Sequence, residues 1–340
     1  MERGDFHMSI TVLRPGLLTS IQDTGRYGFQ KYGVIANGAM DVYSLKMANV
    51  LVGNKEAEAA LEITLMGPMI SANKDMLIAI TGADLSPTVD GLPLPAWRPV
   101  LIKKGSIIKF GVPKFGCRAY LAVAGGFALE KLMHSKSTYL RGEIGGFKGR
   151  ALQKEDILEI GEYSQHSMQL FSKLQNRYSA GSFVATDWFI DPQLFFPSSN
   201  ETLIRVLPGR QYHYLTEKGK KELSEEVFQI TPQSDRMGFR LSGPAMELQE
   251  KGDMLSEAVA FGTVQLPPNG NPIILLADRQ TTGGYPKIAQ VASVDLAYLA
   301  QRKPGETIRF RLITLDEAEQ LYLAKERLWK QLKHAVLLKQ

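Results

Sequence analysis

The chain is 340 residues long; 44% of its residues are hydrophobic and 22% are charged. That composition is typical of a soluble globular protein with a real core, and the length suggests two domains. The formal net charge is +5 and the basic residues form no long run. A solvated surface therefore explains the charge better than a nucleic-acid-binding face, while small anionic substrates stay compatible with it.

Disulfide and metal chemistry find little support in the sequence. Cys117 is the only cysteine, which excludes an intramolecular disulfide and a thiolate metal cluster. The five histidines lack the short spacing of metal ligands, so we predict no metal site. The first ten residues carry charges of both signs, and no run approaches the ~20 apolar residues of a membrane-spanning helix. We therefore expect a cytoplasmic protein without a membrane partner.

Strand-like runs are the commonest pattern along the chain. Short apolar, β-branched segments alternate with turn residues, and the 31 glycines and 17 prolines leave few places for long helices. The predicted strands are Ile10–Leu13, Met76–Thr81, Ser106–Phe110, Ala119–Val123, Leu203–Leu207, Phe228–Thr231, Ile273–Ala277 and Thr307–Leu312.

Three segments predict helices. Met40–Val52 has apolar residues at helical spacing, and Asp41 lies in its first turn, where a carboxylate complements the helix dipole. Ser293–Gln301 is a shorter candidate. The third helix begins at Thr314, which forms a capping box with Glu317. Its apolar stripe either docks on its own domain or binds a partner. The stripe consists of Leu321, Tyr322, Leu328, Trp329, Leu332 and Val336.

Short repeated motifs support two domains of related design. Leu65–Pro68 is echoed by Leu241–Pro244, and Gly105–Phe110 is echoed by Gly305–Phe310. Because a many-stranded chain must protect its sheet edges, we predict a mainly β protein with two β-barrel-like domains and a few helices, including a C-terminal one. The predicted division is an N-terminal domain at 8–162, a polar linker at 163–182 and a C-terminal domain at 183–340.

Two segments of the N-terminal half are candidates for binding an anion. Asp23 and Arg26 flank a turn, where either a local ion pair or a ligand role explains them. The glycine-rich stretch 137–150 carries basic residues, so it is either an anion-binding loop or a flexible basic loop. The GxxxxGK[ST] pattern of a P-loop does not occur. We group Arg26, Arg141, Lys148 and Arg150 as a possible second anion site.

The C-terminal half contains the main candidate site. Asp235 and Arg236 are adjacent, so on a strand they act together only across a turn or bulge; a structural ion pair is the alternative. Asp278 follows a buried-looking strand and precedes hydroxyls, paired glycines and Lys287, which places acid, donors and cation at one sheet end. The predicted catalytic residues are Asp235, Arg236, Asp278 and Lys287. The predicted substrate-binding residues are Glu257, Gln265, Thr281, Thr282, Gly283, Gly284 and Tyr285.

Nine stretches follow one another in a recognisable order. They are PGLLTSIQDTGRYGFQKYGVIANGAMD (15–41), ANVLVGN (48–54), AALE (59–62), AYLAVAGGF (119–127), STYLRGEIGGFKGR (137–150), VLPGRQ (206–211), SDRMGFRLSGP (234–244), SEAVAFGTVQLPPNGNPI (256–273) and DRQTTGGYPKIAQV (278–291). Their order and content resemble the biotin-dependent carboxyltransferase family, also called allophanate hydrolase subunit 2, and within it the 5-oxoprolinase C subunits, described as KipI antagonists. Residues 1–7 do not follow the pattern.

The resemblance implies a cyclophilin-like barrel and a role inside a complex. It implies a subunit that is inactive alone and acts with a KipI-type B subunit and an A subunit to open 5-oxoproline to glutamate, with hydrolysis of ATP to ADP and phosphate. It also implies that the chain sequesters KipI, an inhibitor of a sporulation histidine kinase. The alternatives are a carboxyltransferase component of a urea carboxylase or allophanate hydrolase system, and a purely regulatory KipI-binding protein.

The cofactor expected in the complex is ATP with magnesium. The chain has no A/V-M-K-M biotinyl-lysine motif, so any biotin carrier is another protein. For lactam hydrolysis we expect phosphorylation of the amide oxygen, then attack by water. Our hypothesis assigns Arg236 to the substrate carboxylate and Asp278 or Asp235 to base work. Lys287 and the Gly283–Gly284 backbone would stabilise negative charge. Thr281, Thr282, Gln265 and Tyr285 would orient the substrate.

Overall fold

The computed structural model describes residues 8–196, 203–249 and 254–339. The departure from the family pattern at residues 1–7 lies outside them. Contacts divide the chain into two compact units, and each contains more than one segment of the sequence. The first unit comprises residues 1–25, 41–194 and 330–340, and the second comprises residues 26–40 and 195–329.

The first unit is built from two six-stranded sheets. Its strands are β1 (Ser9–Arg14), β2 (Leu18–Gln22), β3 (Ala60–Thr64), β4 (Met69–Ala72), β5 (Met76–Asp84), β6 (Thr88–Val89), β7 (Leu92–Pro93), β8 (Val100–Ile102), β9 (Ile107–Lys109), β10 (Phe115–Val123), β11 (Ile157–Glu159) and β12 (Phe183–Ala185). One sheet has the order β11–β1–β4–β9–β6–β7 and the other β12–β8–β5–β10–β3–β2. Apolar side chains of both sheets, such as Val12 and Leu121, form one buried core.

The sheet edges of the first unit are protected without closure into a barrel. Three of the four edge strands, β7, β11 and β12, are two or three residues long, and Pro93 in β7 has no N–H to offer to another strand. The fourth, β2, has five residues, of which four are buried. Short edge strands and edge prolines both discourage pairing with a second chain. The first unit therefore solves the edge problem differently from the barrel that we predicted for it.

Two helices belong to the first unit, α1 (Val42–Leu51) and α2 (Gln165–Arg177). The α1 helix confirms the predicted helix, and the carboxylate of Asp41 caps it by accepting from the Ser44 N–H at 3.0 Å. The α2 helix lies in the stretch that we predicted as a linker. It buries Ser167, Leu170 and Leu174, and these successive spacings of three and four residues lie on one face of a helix but not of an extended strand.

The second unit contains a closed seven-stranded barrel with the order β13–β20–β17–β18–β15–β14–β21. The barrel strands are β13 (Leu203–Pro208), β14 (Val227–Ile230), β15 (Gly238–Ser242), β17 (Thr263–Gln265), β18 (Ile273–Leu275), β20 (Lys287–Val291) and β21 (Thr307–Leu312). A separate two-stranded ribbon pairs β16 (Glu257–Ala258) with β19 (Thr282–Gly283). Buried aromatic rings fill the barrel, and those of Phe228 and Phe310 lie 5.6 Å apart. The predicted mainly β fold with a barrel is confirmed.

The remaining helices are α3 (Glu217–Glu225), α4 (Leu296–Ala300) and α5 (Leu315–Lys339). The C-terminal α5 confirms its prediction, and Thr314 caps it by accepting from the Glu317 N–H at 3.1 Å. Trp329 and Val336 of the stripe are buried, so the stripe docks on this chain. The sequence did not predict α3 because its residues are mostly charged, and the buried Leu223 cannot by itself show a helical period. Among the described residues, no helix is long and apolar enough to cross a bilayer.

Candidate functional site

Two cations and one carboxylate form an ionic cluster of the second unit that is open to solvent at one end. The Lys287 Nζ lies 2.8 Å from Oε2 of Glu257, and the Arg210 Nη1 lies 2.9 Å from Oε1 of the same carboxylate. The side chain of Lys287 is 10% exposed, that of Glu257 is 30% exposed and that of Arg210 is 74% exposed. The cluster therefore runs from a buried ammonium to a guanidinium in solvent, and we call it the open cluster.

The barrel backbone holds the two cations of the open cluster. Lys287 begins β20, and the chain after β13 pairs with it, since Gln211 N donates to Lys287 O at 2.9 Å. A Cβ at Gly209 would lie 2.2 Å from Lys287 O, so only glycine allows this close approach. The side chain of Gln211 accepts from the Lys287 N–H at 3.1 Å. Arg210 is thus fixed beside Lys287 by its two neighbours in the chain.

The ribbon brings Glu257 to this place. Its register pairs Glu257 with Gly283 and Ala258 with Thr282. A Cβ at Gly283 would lie 2.4 Å from Nε2 of Gln265, so the ribbon passes close to the buried Gln265 amide. The hydrogen bond from Lys287 lowers the pKa of Glu257, and the charge of Arg210 contributes in the same direction. Glu257 is therefore a carboxylate at neutral pH.

A second ionic cluster of the same unit is closed to solvent. Arg236 binds the Asp278 carboxylate through two nitrogens, Nε and Nη2, each at 3.0 Å. Nδ2 of Asn37 donates to the same carboxylate at 2.9 Å, and Arg236 also donates to Gly38 O at 2.6 Å. The paired side chains are 6% and 7% exposed. We call this the closed cluster; its geometry fits a structural ion pair for Arg236, with Asp278 as the partner.

Asp235 lies in a turn. Its Oδ1 accepts from the N–H groups of Met237 at 2.7 Å and Gly238 at 3.3 Å. The residue is exposed, whereas Arg236 is buried. The turn at Gly238 that we expected is present.

The other predicted substrate-binding residues lie on or next to the ribbon. Gln265 is buried and its Nε2 is 3.4 Å from Tyr285 O, while the Tyr285 ring is 45% exposed. Thr282 is exposed, and Thr281 accepts from the Val259 N–H at its backbone oxygen. Gly284 has room for a Cβ, 3.5 Å from Ser256 Oγ. The structure thus brings the predicted group around Lys287 together.

The proposed second anion site is divided between the units. Arg26 is in the second unit, where it is fully buried and donates to Asn37 Oδ1 at 3.1 Å. Arg141, Lys148 and Arg150 are in the first unit. Arg150 binds the Asp156 carboxylate with two hydrogen bonds of 2.7 Å. Lys148 is exposed beside the Phe147 ring.

Two glycines of the 137–150 loop pack closely against other residues of the loop. A Cβ at Gly146 would lie 1.9 Å from Thr138 Oγ1, and one at Gly149 would lie 2.0 Å from Glu143 O. Residues at and just before the start of the loop bind Asp23, whose carboxylate accepts from the hydroxyls of Ser135 at 2.7 Å and Ser137 at 2.6 Å. Asp23 therefore holds this end of the loop, and anion binding by the loop stays a prediction.

Sequence reasoning missed three members of the two clusters. Arg210 and Gln211 occur in the stretch VLPGRQ, which we used for the resemblance but not for the site. Asn37 lies 241 positions before its partner Asp278, so no local pattern connects them. Among the described residues, no group of three His, Cys, Asp or Glu side chains could hold a metal ion.

Comparison with known proteins decides the family. Residues 32–312 match the family model described as carboxyltransferase domain, subdomain A and B. The chain belongs to this family. This carboxyltransferase-domain chain is 37% identical over 318 residues to the C subunit of 5-oxoprolinase from Haemophilus influenzae, covering 93% of this chain and 95% of that protein. It is 35% identical over 324 residues to the C subunit of 5-oxoprolinase from Escherichia coli, covering 95% and 97%.

Larger proteins contain a region similar to this carboxyltransferase-domain chain. The chain is 31% identical over 328 residues to urea amidolyase of Saccharomyces cerevisiae, covering 92% of this chain but 17% of that protein. The crystal structure of Kluyveromyces lactis urea carboxylase matches with a TM-score of 0.83 at 28% identity, covering 97% of this chain and 30% of that one. The predicted family resemblance is confirmed.

Proposed function

We propose that this chain is the C subunit of an ATP-dependent 5-oxoprolinase. The observation that carries the proposal is similarity: two proteins named as the C subunit of 5-oxoprolinase are 37% and 35% identical to the chain and match it over at least 93% of both partners. Urea amidolyase is 31% identical over a region that makes up 17% of its own chain. The higher identity and the coverage of nearly the whole of both C subunits support the 5-oxoprolinase role.

The open cluster supplies the chemistry that such a subunit needs for its substrate. The substrate, 5-oxoproline, has one carboxylate and one lactam amide. Lys287 and Arg210 already hold a carboxylate, that of Glu257, at 2.8 and 2.9 Å, so they are suited to a substrate carboxylate. We therefore assign carboxylate binding to Lys287 and Arg210 in place of Arg236. The Gln265 amide, Thr281, Thr282 and Tyr285 orient the ring, and the Gly283–Gly284 backbone faces its oxygen.

The general base is best supplied by another protein of the complex. Asp278 accepts hydrogen bonds from Arg236 and Asn37, and Asp235 accepts from two backbone amides of its turn. The Asp278 carboxylate is 7% exposed and already accepts three hydrogen bonds, so it is poorly placed to accept a proton from water. We propose that the A subunit and the KipI-type B subunit provide the base and bind ATP with magnesium, so the chain is inactive alone.

Reconstitution tests this proposal. Purified chain is mixed with the A and B subunits, 5-oxoproline, ATP and magnesium, and release of glutamate and phosphate is followed. We expect turnover only when all three proteins are present. Turnover at the same rate by A and B subunits alone would contradict a role for this chain.

Carboxyl transfer is the second candidate, and the fold match to a urea carboxylase favours it. It predicts transfer of a carboxyl group to urea only with a biotinylated carrier protein and no glutamate release. A role as KipI antagonist rests on the sequence resemblance, and we propose it as a consequence of binding the B subunit. The test is the autophosphorylation of a KipI-inhibited histidine kinase, which added chain should restore.

A further inference from the structure

The carboxylate of Glu257 occupies the position in which a ligand carboxylate would meet both cations of the open cluster. We propose that Glu257 is an internal placeholder: without ligand it fills the anion site between Lys287 and Arg210, and a ligand carboxylate replaces it as the ribbon β16–β19 moves aside. The ligand class is a small carboxylate, and its identification as 5-oxoproline rests on the proposed function.

The two cations belong to the rigid part of the second unit. Lys287 is the first residue of the barrel strand β20, and Arg210 follows β13 with backbone hydrogen bonds on both sides, from Gly209 to Ile288 at 2.9 Å and from Gln211 to Lys287 at 2.9 Å. Closed barrels hold their strands on two sides and leave no free edge. The anion site is therefore preformed by the barrel.

The carboxylate, in contrast, is carried by the smallest sheet of the unit. Strands β16 and β19 have two residues each and pair only with one another within the described sheets. An isolated two-stranded ribbon of this length has little stability of its own. In this proposal Glu257 is therefore the partner that moves, while the backbone at Lys287 and on both sides of Arg210 keeps its hydrogen bonds to the barrel.

Charge couples the movement to the ligand. If the ribbon moved away alone, the ammonium of Lys287 would lose the carboxylate that it now meets at 2.8 Å, and with it a charge-assisted hydrogen bond. A ligand carboxylate restores the same two contacts. Opening of the ribbon and binding of a carboxylate therefore favour one another, which is the thermodynamic condition for exchange of one carboxylate for another.

Two sources can provide the ligand carboxylate. One is the substrate's own carboxylate, as in 5-oxoproline; the other is a carboxyl group under transfer, for which bicarbonate is the simplest probe. Both present the same charge and geometry to Lys287 and Arg210. Titrating the full chain separately with 5-oxoproline, acetate and bicarbonate distinguishes them, because 5-oxoproline alone adds a lactam for Gln265.

The decisive variant is Glu257→Gln, measured by calorimetric titration of the full chain. Without a competing charge the site is always available, so we expect the dissociation constant for 5-oxoproline to fall about tenfold. The matched control is Glu217→Gln, which removes an exposed glutamate paired with Lys220 in α3 and should leave the constant unchanged. Lys287→Met should abolish binding in both backgrounds. Equal or weaker binding by Glu257→Gln overturns the placeholder.

Hydrogen exchange tests the movement independently of affinity. The Val259 N–H donates to Thr281 O at 3.1 Å and reports on the ribbon. This bond joins the two arms of the ribbon, and a ribbon of this length that no longer contacts the barrel has little stability of its own. We therefore expect the exchange of this N–H to accelerate when wild-type chain binds 5-oxoproline. Slower exchange would mean that the ribbon closes over the ligand, and would overturn the proposal.

The outcomes also separate this inference from the proposed function. If Glu257→Gln strengthens binding of acetate or bicarbonate while 5-oxoproline does not bind, the placeholder stands and the 5-oxoprolinase assignment fails. If 5-oxoproline binds but Glu257→Gln weakens it, the assignment stands and Glu257 contacts the ligand instead. If none of the three carboxylates binds at millimolar concentration to either form, the anion site itself is refuted.

Discussion

The two ionic clusters of the second unit contain the same kinds of groups in opposite surroundings. In the closed cluster, Arg236 and Asp278 are 6% and 7% exposed and meet through two hydrogen bonds. In the open cluster, each cation meets Glu257 through one oxygen, and exposure rises to 74% at Arg210. The carboxylate of the closed cluster already accepts several hydrogen bonds, whereas the cations of the open cluster have N–H groups that can bind another molecule.

The difference teaches how to separate a structural from a functional ion pair. Both clusters come from polar, glycine-rich stretches of sequence, so residue type alone does not distinguish them. The number of hydrogen bonds that each group already makes does distinguish them. Asp278 also accepts from Asn37, whereas Lys287 has two further N–H groups beyond the one directed at Glu257. Substitutions should therefore affect stability in one cluster and activity in the other.

The largest effect on stability is expected in the closed cluster. Asp278→Asn removes the charge of the carboxylate that meets the buried guanidinium of Arg236 through two hydrogen bonds, which should lower the free energy of unfolding by about 3–5 kcal/mol. Urea unfolding measures it. The matched control is Asp187→Asn, which breaks an Arg–Asp pair whose carboxylate is 80% exposed, and there little change is expected. If Asp278→Asn instead keeps wild-type stability and loses activity, Asp278 is catalytic after all.

The largest effect on activity is expected in the open cluster. Lys287→Met removes the buried cation and one charge-assisted hydrogen bond to the substrate carboxylate, so kcat/KM of the reconstituted complex should fall about 100-fold. Glutamate release from 5-oxoproline is the readout. Lys303→Met, which alters a lysine 44% exposed in the same unit, is the control and should keep full activity. A loss of less than about threefold for Lys287→Met would contradict carboxylate binding here.

The sequence predicted the fold where periodicity is local. Thr307–Leu312 is a strand with the predicted bounds, and α1 and α5 begin at the caps Asp41 and Thr314 because capping depends on three neighbouring residues. The α2 helix was missed because Ser and Gln dominate its exposed face. Only the second unit closes into a barrel. That closure depends on pairing between strands distant in sequence, such as the parallel pair β13–β21, and no local sequence pattern predicts such pairing.

The sequence predicted the neighbourhood of the candidate site better than the roles within it. Lys287, Glu257 and Gln265 lie together because the strand β20 and the ribbon β16–β19 meet beside β17. The roles of Arg236 and Asp278 were harder to predict from the sequence, because some of the hydrogen bonds of their cluster involve a distant segment. Gly38, which accepts from Arg236, lies 198 positions before it. Long-range hydrogen bonds decide which charged residue is free to act.

A smaller effect is expected at the exposed end of the open cluster. Arg210→Ala should raise the KM for 5-oxoproline about tenfold, because one charge-assisted hydrogen bond to the carboxylate is lost. The urea midpoint should stay unchanged, since the side chain is 74% exposed. Arg309→Ala, at an exposed position of β21, is the control for loss of a surface charge. An unchanged KM would leave Lys287 as the sole cation for the substrate.

The smallest effect is expected from a change of pH, and it reports on Glu257, the carboxylate of the open cluster. The Lys287 hydrogen bond lowers the pKa of Glu257 below its ordinary value of 4.5. A carboxylate with a lowered pKa in the folded state stabilises the protein fully above 4.5, and this contribution disappears as the pH falls through the lowered value. Urea unfolding of wild type and Glu257→Gln between about pH 6 and about pH 3 should therefore give a stability difference that is constant at first and shrinks below about 4.5. A difference that is independent of pH would show that Glu257 holds the ribbon by packing rather than by charge, and the ionic link between ribbon and barrel would then be absent.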